Sequence, residues 1–136
     1  MKKTNNKGFS LIELIIVIAI MAVLVAIIAP NLTKYLGSSK EKTDQKNADE
    51  IAAQIQTCIT EYDTEYDCLG TQTVTWSDAG ATCAGNSDFE AMVNQNITSS
   101  AQSKVDSSYA TADIVYDENT KVYTITVTLG KATATK

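Results

Sequence analysis

Residues 9–29 read FSLIELIIVIAIMAVLVAIIA, 21 consecutive positions with a single charge, Glu13. As a helix rising ~1.5 Å per residue this run would span ~32 Å, close to the ~30 Å hydrocarbon core of a bilayer. Such a stretch is apolar all round, so it cannot lie as an ordinary surface helix with one wet face. The eight residues before it, MKKTNNKG, are polar and carry three lysines. Lysines on this side predict a cytoplasmic N-terminus and place everything after Pro30 across the membrane. A secretory signal peptide would have a shorter apolar run ending in a small-residue cleavage site, and the sequence AIIAPN at the end of this run is a poor one. A plain membrane anchor accounts for the length and the lysines but not for Glu13. A carboxylate inside an apolar helix costs several kcal/mol unless it is neutralised or paired.

The residues around that acid are Gly8-Phe9-Ser10-Leu11-Ile12-Glu13. They resemble the prepilin processing motif of type IV pilins and pseudopilins. The resemblance implies that a membrane aspartyl peptidase cuts between Gly8 and Phe9 and then methylates the amine of Phe9. It also implies that Glu13 pairs with the terminal amine of a neighbouring subunit during assembly. Breaking one partner of a buried charge pair typically costs ~3–5 kcal/mol, so such a pair would guide entry into a filament. The implied partners are further copies of the chain, the prepilin peptidase and methyltransferase, an inner assembly platform, and the membrane before assembly. The implied location is a single-pass precursor in the cytoplasmic membrane, then an extracellular pilus.

Pro30 lies where many type IV pilins also carry a proline. A proline inside a helix removes one backbone hydrogen bond and clashes with the carbonyl four residues earlier, costing ~3 kcal/mol. A kink is expected there in the isolated subunit, and Gly37 is a second soft point. Beyond it, Leu32, Tyr35 and Leu36 continue the apolar stripe and residues 38–47 are polar. Ala48, Ile51, Ala52, Ile55, Ile59 and Tyr62 then recur at spacings of three and four, which marks one buried helix face.

The remainder of the chain is rich in Thr, Ser, Asp and Asn, so it can build only a small core and needs the helix as one wall. Thr71–Trp76 reads as a short strand, with residues 69–86 otherwise loop. Ser87-Asp88-Phe89-Glu90 has the capping-box pattern, with Ser87 as the cap of a short second helix carrying Phe89, Met92, Val93 and Ile97. Ala112–Asp117 and Lys121–Leu129 read as a hairpin turned by residues 117–120, with Tyr123, Ile125, Val127 and Leu129 on one face and threonines on the other. The expected fold class is α+β: a long N-terminal helix, hydrophobic then amphipathic, on a small antiparallel sheet. Residues 1–8 form the leader and 9–36 the membrane and filament-core half of the helix. Residues 37–136 form the head, including helix to about residue 62.

Function classes are narrowed by what the chain lacks. It has no histidine, which removes Ser/His/Asp and Cys/His nucleophile pairs. Acid pairs such as Asp63 and Glu65 read as solvated, so no catalytic residue and no cofactor is expected. The formal charge is −5, and losing the three leader lysines takes it to −8, which argues against nucleic-acid binding. Three cysteines, Cys58, Cys68 and Cys83, allow one disulfide outside the cell without choosing the pair. Without His or a Cys-x-x-Cys spacing they make a poor zinc site. The acidic run from Glu61 to Asp67 matches no calcium-loop spacing. Asn31-Leu32-Thr33 and Asn96-Ile97-Thr98 fit the short glycosylation pattern. The resemblance is to a pilus subunit first and to a pseudopilin of a secretion or competence machine second. An anchored surface-binding module that is never processed is the alternative from another class.

Overall fold

A computed structural model describes residues 8–66 and 68–136. The leader positions 1–7 and Asp67 lie outside the described residues. The chain divides into two compact units, residues 1–37 and Ser38–Lys136.

Helix α1, Leu11–Glu65, enters both units. In the first unit it runs unbroken through Pro30, so the kink expected at that residue does not interrupt it. Two side chains just after Pro30 donate to nearby helix carbonyls. Asn31 Nδ2 donates to the Ile27 carbonyl at 3.5 Å, and Thr33 Oγ1 reaches the carbonyls of Ala29 at 3.0 Å and Pro30 at 3.1 Å. Every described α1 residue up to Thr43 is exposed.

In the second unit α1 packs on a five-stranded antiparallel sheet: β1 (Gln72–Ser77), β2 (Gly80–Cys83), β3 (Thr111–Asp117), β4 (Val122–Leu129) and β5 (Ala132–Thr135). The strand order is β2-β1-β3-β4-β5, and helix α2 (Ser87–Asn96) follows β2 in sequence. The α1 stripe is buried as its spacing predicts, from Ala48 through Ile51, Ala52 and Ile55 to Ile59, with Cys58 among them and Tyr62 half-buried. Facing it are Val74, Ile114, Ile125, Val127 and Leu129 from the sheet and Phe89 and Val93 from α2. Each such side chain contributes about 1.5–3 kcal/mol on full burial. The threonines of β4 alternate away from this core, so the hairpin has the two unlike faces expected of it.

Four features depart from the sequence reading. Residues 80–83 are a strand rather than loop, because a tight turn after Ser77 folds them back on β1. A fifth strand follows Gly130, whose φ of 59° suits a residue without Cβ and turns the chain back on β4. The cap of α2 is Asn86, one residue before Ser87. Its side chain accepts from the Phe89 amide at 2.9 Å, and asparagine is as good a cap as serine. Glu90 does not reach back to the cap but accepts from the Cys83 amide at 2.9 Å.

The fourth departure is Asp44, in the polar stretch 38–47, which is buried with 1% exposure. Its carboxylate accepts from the Ser103 hydroxyl at 2.6 Å and from the amides of Lys104 at 2.7 Å and Val105 at 3.3 Å. A buried carboxylate is tolerable when its lone pairs are filled in this way. It ties the loop before β3 to the helix. Gly130 completes the arrangement, since a Cβ there would stand 2.7 Å from Ser103 Oγ.

Candidate processing and assembly segment

Gly8, Phe9 and Ser10 precede α1 in non-helical backbone. Phe9 is 87% exposed, and a Cβ on Gly8 would meet nothing within 4 Å. Among the described residues nothing therefore demands glycine at position 8.

Ser10 is the residue whose carbonyl accepts the first helical bond, from Leu14 N at 3.3 Å. The Glu13 carboxylate turns back and accepts from the Ser10 amide at 2.9 Å. That is the returning half of a capping box, Ser-x-x-Glu. It satisfies an amide that the helix leaves without a partner and sets the negative charge against the positive end of the helix dipole. Glu13 thus has a role inside its own chain. The Ser-x-x-Glu spacing ahead of an apolar run was visible in the sequence and was missed there.

Behind this cap the helix presents apolar surface on every side. Leu11, Ile18, Val23 and Val25 are 75%, 57%, 60% and 63% exposed. α1 is long and apolar enough to cross a membrane by length and composition.

The cysteines and the described part of the acidic run lie in the second unit, each with its own neighbours. Cys58 is buried on α1 beside Asn96, and burial pushes its thiol up. Cys83 is buried on β2 with its sulfur 3.5 Å from Gln72 Oε1, and burial followed by the Glu90 charge raises it. Cys68 is exposed, with its sulfur 3.2 Å from the Tyr123 hydroxyl, and that hydrogen bond lowers its thiol. Within the acidic run, Asp63 accepts from the Leu69 amide at 2.9 Å and the Tyr123 hydroxyl at 3.1 Å. It therefore holds the chain after α1 against β4. Among the described residues no group of three or more Cys, Asp or Glu is arranged to hold a metal ion.

Comparison with known proteins meets the same segment. Residues 3–29 match the family described as the prokaryotic N-terminal methylation motif. This defines a class of protein, the precursors that carry that motif on an apolar N-terminal helix. The chain is 38% identical over 60 residues to prepilin peptidase-dependent protein A of Clostridium perfringens, covering 44% of this chain and 43% of that one. It is 34% identical over 67 residues to the type IV major fimbrial protein FimA of Dichelobacter nodosus, covering 49% and 43%. It is 32% identical over 63 residues to the ComG operon protein 3 homolog of Bacillus licheniformis, covering 46% and 61%. The match spans less than half the length of the first two relatives. No solved structure matches the chain. The chain thus carries a prepilin-type N-terminal methylation motif over residues 3–29, followed by an α+β architecture with a long N-terminal helix on a small antiparallel sheet.

Proposed function

We propose that the chain is a structural subunit of an extracellular type IV pilus, cut between Gly8 and Phe9 and N-methylated on Phe9. The observation that carries this reading is the exposed apolar surface of α1 from Leu11 to Leu36, starting immediately behind the motif. In the precursor lipid covers that surface. After cleavage, sister helices replace the lipid, so the apolar surface stays out of water in both states. Cleavage also creates a positive amine at Phe9. In this proposal Glu13 exchanges its bond to the Ser10 amide for a charge pair with the amine of the preceding subunit. Pro30 marks the segment that gives way first when the filament is pulled. One disulfide among Cys58, Cys68 and Cys83 belongs to the proposal, since the head lies in an oxidising setting. Thiol counting on the exported form checks it.

The test is fractionation of cells expressing the parent chain or Glu13→Ala. The parent should appear in sheared surface material. Glu13→Ala should be processed and yet stay in the membrane fraction. Equal recovery of both from the surface would remove Glu13 from the assembly step.

A pseudopilin role in a competence machine is the second reading, favoured by the match to the ComG operon protein 3 homolog over 61% of that protein. Long surface filaments that carry this chain and vanish on its deletion decide for the pilus. Loss of DNA uptake without such filaments decides for the competence machine.

A further inference from the structure

A sheet edge normally leaves a row of unpaired amides and carbonyls that can bond a second chain. Alternate residues of an edge strand aim these groups outward, and on β2 the two that do so are Ala81 and Cys83. All four of their groups are occupied. The Ala81 amide donates to Asn94 Oδ1 at 2.8 Å, and the Ala81 carbonyl accepts from Asn94 Nδ2 at 2.9 Å. The side chain of Asn94 thereby copies the two bonds of a neighbouring strand residue. The Cys83 amide donates to Glu90 Oε2 at 2.9 Å, and the Cys83 carbonyl accepts from the Asn86 amide at 3.5 Å. Asn94 is held in turn, because its Nδ2 also donates to the Glu90 carbonyl at 3.0 Å. Gly80 makes room for it: a Cβ at that position would lie 2.7 Å from Asn94 Oδ1.

We propose that α2 is a strap that seals the β2 edge against a second copy of this chain. Asn94 and Glu90 are the sealing residues and Asn86 closes the last carbonyl. α2 then has a purpose beyond covering the core with Phe89 and Val93. It keeps the β2 edge from joining the sheet of another copy wherever copies are crowded, on the membrane or in a polymer. The strap is a property of the head alone and stands or falls separately from the pilus reading.

The test uses the full chain in detergent micelles, as parent and as Asn94→Ala/Glu90→Ala. Alanine is the best helix former, so α2 itself is preserved. Hydrogen exchange on the parent comes first. The amides of Ala81 and Cys83 should be protected like the ladder amides of β3, although they sit on an edge. Exchange at loop rates would overturn the proposal whatever the variant does. In the variant those two amides should lose protection at low concentration, and mass measured by light scattering should shift from monomer to dimer as concentration rises. The dimer should regain protection at Ala81 and Cys83. A folded variant that stays monomeric where the parent is monomeric would overturn the proposal, and so would a dimer that leaves both amides open. If the variant fails to fold, the exchange rates of the parent decide.

Discussion

The two stretches of α1 use apolar residues in opposite ways. From Leu11 to Leu36 the apolar residues occupy every side of the helix and none is buried in the chain. From Ala48 to Ile59 they keep to one stripe, and the stripe is fully buried against the sheet and α2. One helix thus contains a segment that the chain completes by itself and a segment that only lipid or another helix can complete. A helix apolar all round needs a non-aqueous surrounding, while an amphipathic one finds its partner in the same molecule. Stability of the head therefore rests on residues other than those to which the proposed function assigns assembly, and substitutions can separate the two.

The largest expected effect comes from Phe89→Ala, which empties the centre of the head and should cost about 3–5 kcal/mol. Ile18→Ala, on the exposed stretch, should leave head unfolding unchanged within about 0.5 kcal/mol. Near-ultraviolet circular dichroism of the full chain in micelles, following Trp76, reads both. Equal losses from the two variants would show that the two stretches are not independent.

Next is Asp44→Ala, which strips three bonds from the Ser103–Val105 loop and should cost about 2–4 kcal/mol. Asp44→Asn keeps one acceptor oxygen and should lose less, again by thermal or denaturant melting. Gly130→Ala follows, at about 1–2 kcal/mol for a left-handed residue with a Cβ, plus the clash with Ser103. That hydroxyl is held by Asp44, so it cannot swing aside without loss. Ser103→Ala should therefore relieve part of the Gly130→Ala penalty, a coupling that a double-mutant cycle measures.

The smallest effect is on pH dependence. Hydrogen bonds from the Ser108 hydroxyl, then its amide, hold the Asp106 carboxyl below its ordinary value of 3.8. A carboxyl lowered by folding contributes stability that is complete above its unfolded value and is lost as pH falls through the folded value. Melting should therefore be flat near neutrality and decline on acidification below about pH 4. Asp106→Asn should make that decline slightly shallower.

The same division governs what could be read from the sequence. The N-terminal methylation motif was legible because its residues are contiguous and can be recognised without knowledge of the fold. The α1 stripe and the β3–β4 hairpin were legible because helical spacing and alternation each persisted long enough to be recognised. β2 and β5 are four residues each, built from Ala, Thr, Gly and Cys, and have no such signal. They are fixed by partners elsewhere: β1 and the α2 side chains for one, and the turn at Gly130 for the other. The burial of Asp44 was hidden because its three donors lie about sixty residues away in a polar loop. Surrounded by Lys42, Thr43, Gln45 and Lys46, it reads like any solvated acid.

In the proposed function, a cut after Gly8 releases the exposed half of α1 from lipid into a polymer. Intact mass of the chain recovered from sheared surface material tests it most directly, with Gly8→Ala as the uncut control. A mass that begins at Phe9 and carries one added methyl group, absent from the surface fraction of Gly8→Ala, is the result expected. A full-length mass confined to the membrane fraction would contradict the claim and leave an anchored head in its place.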